Sequence, residues 1–184
     1  MKHILIYSFL LYFLLLGASV AQAEKVQYVI DGDTLMLMNN EKVRLIGIDA
    51  PEIENTKYER EGEYYGQDAK RYLNGLVLGK DVRLEPPGEH YDKYGRRLAY
   101  VYLDKLLVNA ELVKLGYADV YRKFPFEKMG EFEKLEEKAR KRQRGLWNPR
   151  GREEWEVNRK FNVLGPILVI GTLAGLSALF LYKA

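Results

Sequence analysis

The stretch VQYVIDGDTLMLMNNEKVRLIGIDAPE occupies residues 26–52 and gives the first indication of the fold class. Runs rich in Val, Ile and Leu alternate in it with Asp-Gly and Asn-Asn dipeptides, which are typical of tight turns. Short strands are therefore predicted over 26–30, 34–38 and 43–46. Short strands joined by such turns favour a small antiparallel barrel or sandwich.

Downstream of that stretch, helical and strand patterns follow one another. Asn109 is predicted to be the N-cap of a short helix that ends at Gly116. Four further segments show a clear apolar pattern: helices are predicted over 67–76 and 126–144, and strands over 82–85 and 98–103. Together these elements predict one α+β domain.

The N-terminus carries the features of a secretory signal peptide. Lys2 precedes an apolar run over 4–16, and the small-x-small triplet Ala21-Gln22-Ala23 follows. We therefore predict a signal peptide over 1–23, with cleavage after Ala23. The alternative is an uncleaved N-terminal anchor, for which the apolar run is short against the ~20 residues of a typical span.

The C-terminus has a longer apolar segment. Residues 161–182 contain no Asp, Glu, Lys or Arg, and a helix of that length reaches about 33 Å, enough for a hydrocarbon core of ~30 Å. A transmembrane helix is predicted over 161–182, in preference to a buried core helix. Gly171 and Gly175 form a small-xxx-small pair that would allow a helix-mediated dimer.

Between the two ends, residues 24–147 form the predicted domain and residues 148–160 a polar spacer. The chain has no cysteine, which excludes disulfides and thiolate metal sites. Once Lys2 and Lys183 are set aside from the chain's 29 basic residues, 27 remain against 26 acidic residues. The strong basic excess of many nucleic-acid binders is absent, so contacts with phosphates must come from local arrangement.

Three polar segments carry candidate chemistry. Asp31-Gly32-Asp33 offers carboxylate oxygens of the kind that calcium binds. Residues 43–52 add Arg44, Asp49 and Glu52, and residues 92–97 place Lys93 and Tyr94 before Arg96 and Arg97. Taken singly, the first two segments are better explained by solvated charges at a turn or strand end, and the third also fits a hairpin with exposed charges.

Taken together, the three segments supply what phosphodiester hydrolysis requires. A divalent ion polarises the phosphate and orients a water molecule. A carboxylate accepts the proton of that water. Two guanidinium groups stabilise the charge that develops on the phosphate oxygens.

The motifs VIDGDTLML, VRLIGIDAPE, YYGQDAKRYL, DKYGRRLAYVYLD, LVNAELVKLGYA and GLW occur in this order. In that order they resemble staphylococcal nuclease-like (thermonuclease) domains, and the resemblance spans 26–147. It implies an OB-fold, a five-stranded Greek-key β-barrel with three α-helices. The α+β prediction thereby becomes a specific architecture, with the transmembrane helix added at its C-terminal end.

The resemblance also implies a set of site residues. A calcium ion, Ca2+, would be held by Asp33, Asp49 and the backbone carbonyl of Ala50, where the family has threonine, with Asp31 nearby. The implied catalytic residues are Glu52 as general base and the arginines Arg44 and Arg96. The implied substrate-binding residues are Lys93, Tyr94 and Tyr121. Arg97 is a second arginine beside Arg96, and the YGR motif selects Arg96.

The implied activity is calcium-dependent hydrolysis of DNA and RNA to products with 3′-phosphates. Combined with the two apolar ends, it predicts a single-pass protein of the cell membrane with an extracellular catalytic domain. One alternative is an inactive nuclease-like OB-fold that binds nucleic acid or protein. The other is a surface-anchored structural or adhesion domain, which the predicted membrane span fits equally well.

Overall fold

The computed structural model describes residues 23–86 and 91–160. Its strands are all short, as the turn dipeptides predict. In chain order they are β1 (Ala23–Val29), β2 (Thr34–Leu37), β3 (Lys42–Leu45), β4 (Ile48–Asp49), β5 (Asp81–Glu85), β6 (Arg97–Leu103), β7 (Leu106–Leu107) and β8 (Asp119–Val120).

Five of these strands close into a barrel, as predicted. The hydrogen-bonded order is β3-β2-β1-β5-β6, with antiparallel neighbours, and β3 then pairs in parallel with β6 to complete the ring. Closure leaves no free edge between these strands. The short strand β7 extends β6, and β4 pairs with β8 outside the barrel. The observed α+β barrel confirms the OB-like fold.

The barrel interior is filled by branched aliphatic side chains. Leu35, Val43, Val82 and Val101 come from four different strands, and each is fully buried. Successive side chains of a strand point to opposite faces. Arg44, which follows the buried Val43, therefore points to the outer surface of the barrel. This alternation allows β3 to contribute to both the core and a polar cleft.

Within the described residues, four α-helices lie outside the barrel, and the 3-10 helices Thr56–Tyr58 and Gly145–Trp147 are short turns between elements. The α-helices are α1 (Gly66–Val77), α2 (Val108–Leu115), α3 (Met129–Lys141) and α4, which covers residues 149–160. The first three confirm the predicted helices, with ends that differ by a few residues. α1 buries Leu73 and Val77 on the face toward the barrel. Phe132 of α3 is likewise fully buried in the common core.

The prediction for Asn109 is wrong. α2 begins at Val108, so Asn109 lies inside the first turn and is completely buried. Its side-chain oxygen accepts a hydrogen bond from the amide of Val101 at 2.9 Å, and its amide group donates to the carbonyls of Ile46 and Ala99 at 2.9 and 3.2 Å. Asn109 therefore joins α2 to the barrel, since buried polar groups require partners of this kind.

The segment predicted as a polar spacer is largely helical. Asn148 caps α4 by accepting hydrogen bonds from the amides of Arg150 and Gly151, and Pro149 follows it at the first helical position. Trp155 then packs edge-on against Tyr64. No helix within residues 23–86 and 91–160 is long and apolar enough to cross a membrane. The predicted membrane helix over 161–182, its glycine pair and residues 1–22 of the signal peptide lie outside the described residues.

Candidate active site

One cleft of about 970 Å³ brings the predicted site residues together at the side of the barrel. It lies between the β3–β4 segment, the turn before β6 and the segment after β8. Ala50 is at its margin, where it lines a neighbouring cavity of about 610 Å³ together with Asp49. The predicted residues that line the main cleft are Asp33, Arg44, Asp49, Glu52, Lys93, Tyr94, Arg96 and Tyr121.

At the floor of the cleft, Arg44 links two aspartates. Its guanidinium lies 2.9 Å from Oδ2 of Asp33 and 3.0 Å from Oδ1 of Asp49, and it also donates to the carbonyl of Leu45 at 3.1 Å. Asp33 and Arg44 are largely buried, whereas the side chain of Asp49 is 56% exposed. The two aspartates therefore share one counter-ion, and Asp49 faces the open side of the cleft.

Gly32 allows the turn that carries Asp33 to approach residues 49–51. A Cβ atom at Gly32 would lie 2.5 Å from the Cβ of Ala50 and 2.8 Å from that of Ala69, which only a residue without a side chain avoids. The approach lets the amide of Ala50 donate to Oδ2 of Asp33 at 2.8 Å. The hydroxyl of Thr34 donates to Oδ1 at 3.0 Å, which fixes the carboxylate.

The environment of Asp33 fits a cation. Burial raises the pKa of Asp33 to about 7; the nearby Asp31 adds to the rise, and Arg44 opposes it. Arg44 alone thus does not offset the cost of burying the Asp33 carboxylate in its charged form. Carboxylate and carbonyl oxygens at this place are the ligands that calcium prefers. Within residues 23–86 and 91–160, no three His, Asp or Glu side chains form a cluster that could hold a metal, whereas the predicted set consists of two aspartates and a carbonyl.

Glu52 is held by the 53–65 loop, which connects it to α1. Its carboxylate pairs with Arg60 at 3.0 Å. Its amide donates to the carboxylate of Glu63 at 3.0 Å, and its carbonyl accepts from the amide of Glu63 at 2.8 Å. Gly66 permits this fold, because a Cβ there would lie 2.4 Å from the carbonyl oxygen of Glu52. Partial burial raises the pKa of Glu52, with contributions from Asp31, Glu63 and Asp49 that the Arg60 guanidinium opposes.

The structure distinguishes Arg96 from Arg97. Arg96 lines the cleft and is held by Asp92, which accepts from its Nε at 2.7 Å and from its backbone amide at 2.9 Å. Arg97 points elsewhere and pairs with Glu24 at 2.8 Å and Glu41 at 3.3 Å. Only Arg96 is therefore placed to meet a ligand in the cleft, which agrees with the choice made from the YGR motif.

Aromatic and basic side chains form the rim of the cleft. Tyr94 is 71% exposed, with Lys93 and Arg96 at 5.0 and 5.5 Å from its ring centre. Tyr121 also lines the cleft, with its ring centre 6.1 Å from that of Phe124. Exposed rings beside cations are the surfaces on which single-stranded bases stack.

Sequence reasoning missed several polar or aromatic residues of this site. Asp92 stands four residues before Arg96, and this spacing could have indicated that its carboxylate pairs with the arginine. Arg60 and Glu63 lie in a stretch without periodicity, and Lys123 and Phe124 lie in the segment after β8, where no pattern marks them as site residues. They have in common that they line the cleft or hold a residue that does: Asp92, Arg60, Glu63, Lys123 and Phe124.

Comparison with known proteins gives the class of the chain. An endonuclease of Haemophilus influenzae, described as uncharacterized, is 34% identical over 171 residues, covering 88% of this chain and 89% of its own. Thermonucleases of Staphylococcus intermedius and Staphylococcus hyicus are 37% and 35% identical, over 66% and 69% of this chain and 74% and 76% of theirs. The chain is therefore a nuclease, a hydrolase of phosphodiester bonds.

A match to a family model identifies the family of the chain. The family model described as "Staphylococcal nuclease homologue" matches residues 42–149, which run from β3 to the start of α4. The chain belongs to this family.

Proposed function

We propose that this nuclease depends on calcium, cleaves DNA and RNA to products with 3′-phosphates, and acts while tethered at the outer face of the cell membrane. The observation that supports the chemistry is the cleft itself. It places two aspartates, a further carboxylate and two arginines around one space of about 970 Å³. Hydrolysis of a phosphodiester needs this combination of groups.

Calcium is the cation that the donor set favours. Asp33, Asp49 and the carbonyl of Ala50 offer oxygens only, and a bound cation would stabilise the charged form of Asp33, which burial disfavours despite the ion pair with Arg44. A flexible oxygen site of mixed carboxylate and carbonyl ligands suits calcium better than magnesium, which requires stricter octahedral geometry. When bound, the ion supplies Lewis-acid polarisation of a phosphate oxygen.

The residues of the chain perform the remaining steps. Glu52 accepts a proton from the attacking water, and its raised pKa brings it closer to the neutral range in which a general base works best. Arg44 and Arg96 donate to the phosphate oxygens as charge grows there. Arg96 is the group nearest the leaving 5′ oxygen, and Asp92 keeps its guanidinium oriented toward the cleft.

The rim favours a substrate strand whose bases are unstacked. Tyr94 and Tyr121 line the cleft from two separate segments of the chain, and Phe124 lies beside Tyr121. Ring stacking tolerates any base and either sugar. This supports cleavage of both DNA and RNA, with a preference for regions that open easily into single strands.

The membrane location is supported by the two apolar ends of the sequence. A cleaved signal peptide followed by a helix over 161–182 would place the domain outside the cell, where calcium is abundant. Protease added to intact cells should then remove the domain, and nuclease activity should sediment with membranes. Activity found only in the medium, or a fully protected domain, would contradict the tether without affecting the chemistry.

Digestion of plasmid DNA and of RNA tests the chemistry. We expect cleavage with calcium and none with a chelator. Arg96→Ala should reduce the rate by roughly 10²-fold or more, as the loss of one transition-state donor does. Arg97→Ala is the matched control, because the neighbouring arginine pairs with Glu24 and Glu41 away from the cleft.

Two outcomes would contradict the proposal. Equal losses in the two variants would mean that the cleft arginine has no special role. Tight binding of nucleic acid without cleavage, whatever the metal, would favour the binding-module alternative.

A further inference from the structure

Helix α4 contacts the 53–65 loop although it lies beyond the barrel and its three helices. The ring of Trp155 meets that of Tyr64 edge-on, with centres 6.0 Å apart and an interplanar angle of 62°. The guanidinium of Arg152 lies over the Tyr64 ring, 5.1 Å from its centre. Arg159 forms an ion pair with Glu61. Three residues of α4, one turn apart, thus meet two residues of the loop.

The first turn of α4 is attached to the domain, and this restrains the part of the helix that contacts the loop. Asn148 caps the helix, and Nη2 of Arg152 donates to the carbonyl of Leu146 at 3.2 Å. Leu146 is buried against the domain. The first turn of α4 is therefore attached on the barrel side before Trp155 reaches the loop.

The loop residue next to Tyr64 is the one that holds the backbone of Glu52. Glu63 exchanges two hydrogen bonds with Glu52, at 2.8 and 3.0 Å, and Arg60 pairs with the Glu52 carboxylate at 3.0 Å. A single peptide bond thus separates the contact with α4 from the contact with Glu52. Residues 56–61 of the loop are all exposed. A loop with few buried contacts opens easily unless something restrains it.

We infer that α4 is a positioning element for the reaction, and that Trp155 keeps Glu52 in place through Tyr64 and Glu63. The inference rests on the proposed role of Glu52 as general base. Catalysis is sensitive to the placement of the base, since displacement by about 1 Å costs up to 10²-fold in rate. The proposed substrate-binding residues Tyr94 and Tyr121 line other parts of the cleft. Loss of the contact should therefore lower kcat and leave KM nearly unchanged.

The test compares substitutions on α4 in the full-length protein, with a single-stranded DNA oligonucleotide and saturating calcium. Trp155→Ala should lower kcat about tenfold, with KM changed less than about twofold, because only the base is displaced. Trp155→Phe, which keeps a ring edge against Tyr64, should recover most of the loss. Val157→Ala is the matched control, since Val157 lies on the same helix and is exposed.

A double-mutant cycle shows whether α4 acts through Glu52. If it does, Trp155→Ala should have no further effect on kcat once Glu52→Gln has removed the base. Amide exchange over residues 52–66 should be faster in Trp155→Ala than in Val157→Ala. This second measurement does not depend on activity.

Several outcomes would overturn the inference. An unchanged kcat in Trp155→Ala would do so, as would an equal fall in Val157→Ala or an additive loss in the Glu52→Gln background. The failure of the proposed function has a different signature. In that case Glu52→Gln itself would cleave at the wild-type rate, whereas failure of the positioning role alone leaves the loss of about 10²-fold in Glu52→Gln unchanged.

Discussion

The two halves of the cleft are supported in different ways. Asp33 and Arg44 stand on or next to barrel strands and are largely buried, and Arg44 forms ion pairs with Asp33 at 2.9 Å and with Asp49 at 3.0 Å. Glu52 lies where the chain leaves the barrel, its side chain is 45% exposed, and its partners come from the 53–65 loop. The first half is fixed by the fold and the second by a local set of contacts. Substitutions should accordingly affect stability and turnover together in the first half and turnover alone in the second.

The largest effect is expected from Arg44→Ala. The substitution removes a donor to the phosphate and leaves Asp33 buried without its counter-ion, so we expect turnover to fall by roughly 10²–10³-fold. It should also destabilise the protein by about 3 kcal/mol, because an uncompensated buried charge remains. Calcium titrated during thermal unfolding should restore part of that stability. Arg71→Ala, on an arginine of α1 that is 74% exposed, is the control and should change neither quantity.

A smaller effect is expected from Glu52→Gln. Loss of a general base costs about 10²-fold or more in turnover. The glutamine keeps the size of the side chain. The two hydrogen bonds with Glu63 use the backbone amide and carbonyl of residue 52, so they do not depend on the Glu52 carboxylate. The midpoint of thermal unfolding should therefore stay within about 2 °C of the wild type, as for most surface substitutions. A loss of stability as large as that in Arg44→Ala would show that the two halves are not supported differently.

The barrel and the cleft could be predicted because their signals are local. The turn dipeptides and apolar runs give the strands, and Asp33, Arg44, Asp49 and Glu52 all lie within one short stretch around them. Such a stretch folds back on itself through adjacent strands, so its polar residues meet at one place. The family resemblance then gave each of them a role.

What the sequence could not show depends on pairs that are distant along the chain. Asn109 has the sequence signature of an N-cap, and its burial is explained by hydrogen bonds with Val101, Ala99 and Ile46, the last of them 63 residues away. Arg97 differs from Arg96 because it pairs with Glu24, which is 73 residues away along the chain. The Asn148-Pro149 pair was a readable start signal for α4, but nothing local to Trp155 indicates its contact with Tyr64.

The smallest effect on turnover is expected from Glu136→Gln, which tests the support behind the barrel half. Glu136 of α3 is buried, accepts from the amide of Val120 at 3.0 Å and pairs with Arg122 at 2.5 Å. Val120 belongs to β8, which pairs with β4 and so holds the strand that carries Asp49. We expect a loss of about 1–3 kcal/mol in stability, typical of a charged hydrogen bond, with turnover at 25 °C unchanged.

The dependence of this effect on pH separates charge from packing. Burial acts to raise the pKa of Glu136, but the hydrogen bonds from Arg122 and Val120 outweigh it and the pKa is lowered below its usual 4.5. A carboxylate with a lowered pKa stabilises the fold above its unfolded-state pKa, and this contribution is lost as the pH falls through the folded value. The difference in unfolding free energy between wild type and Glu136→Gln should thus be full at pH 7 and shrink below about pH 4.5.

Glu137→Gln, at an exposed neighbour paired with Lys141, provides the control and should show almost no difference at either pH, because exposed pairs contribute little. A difference for Glu136→Gln that persists undiminished in acid would assign the effect to packing of α3 against β8 and not to the charge.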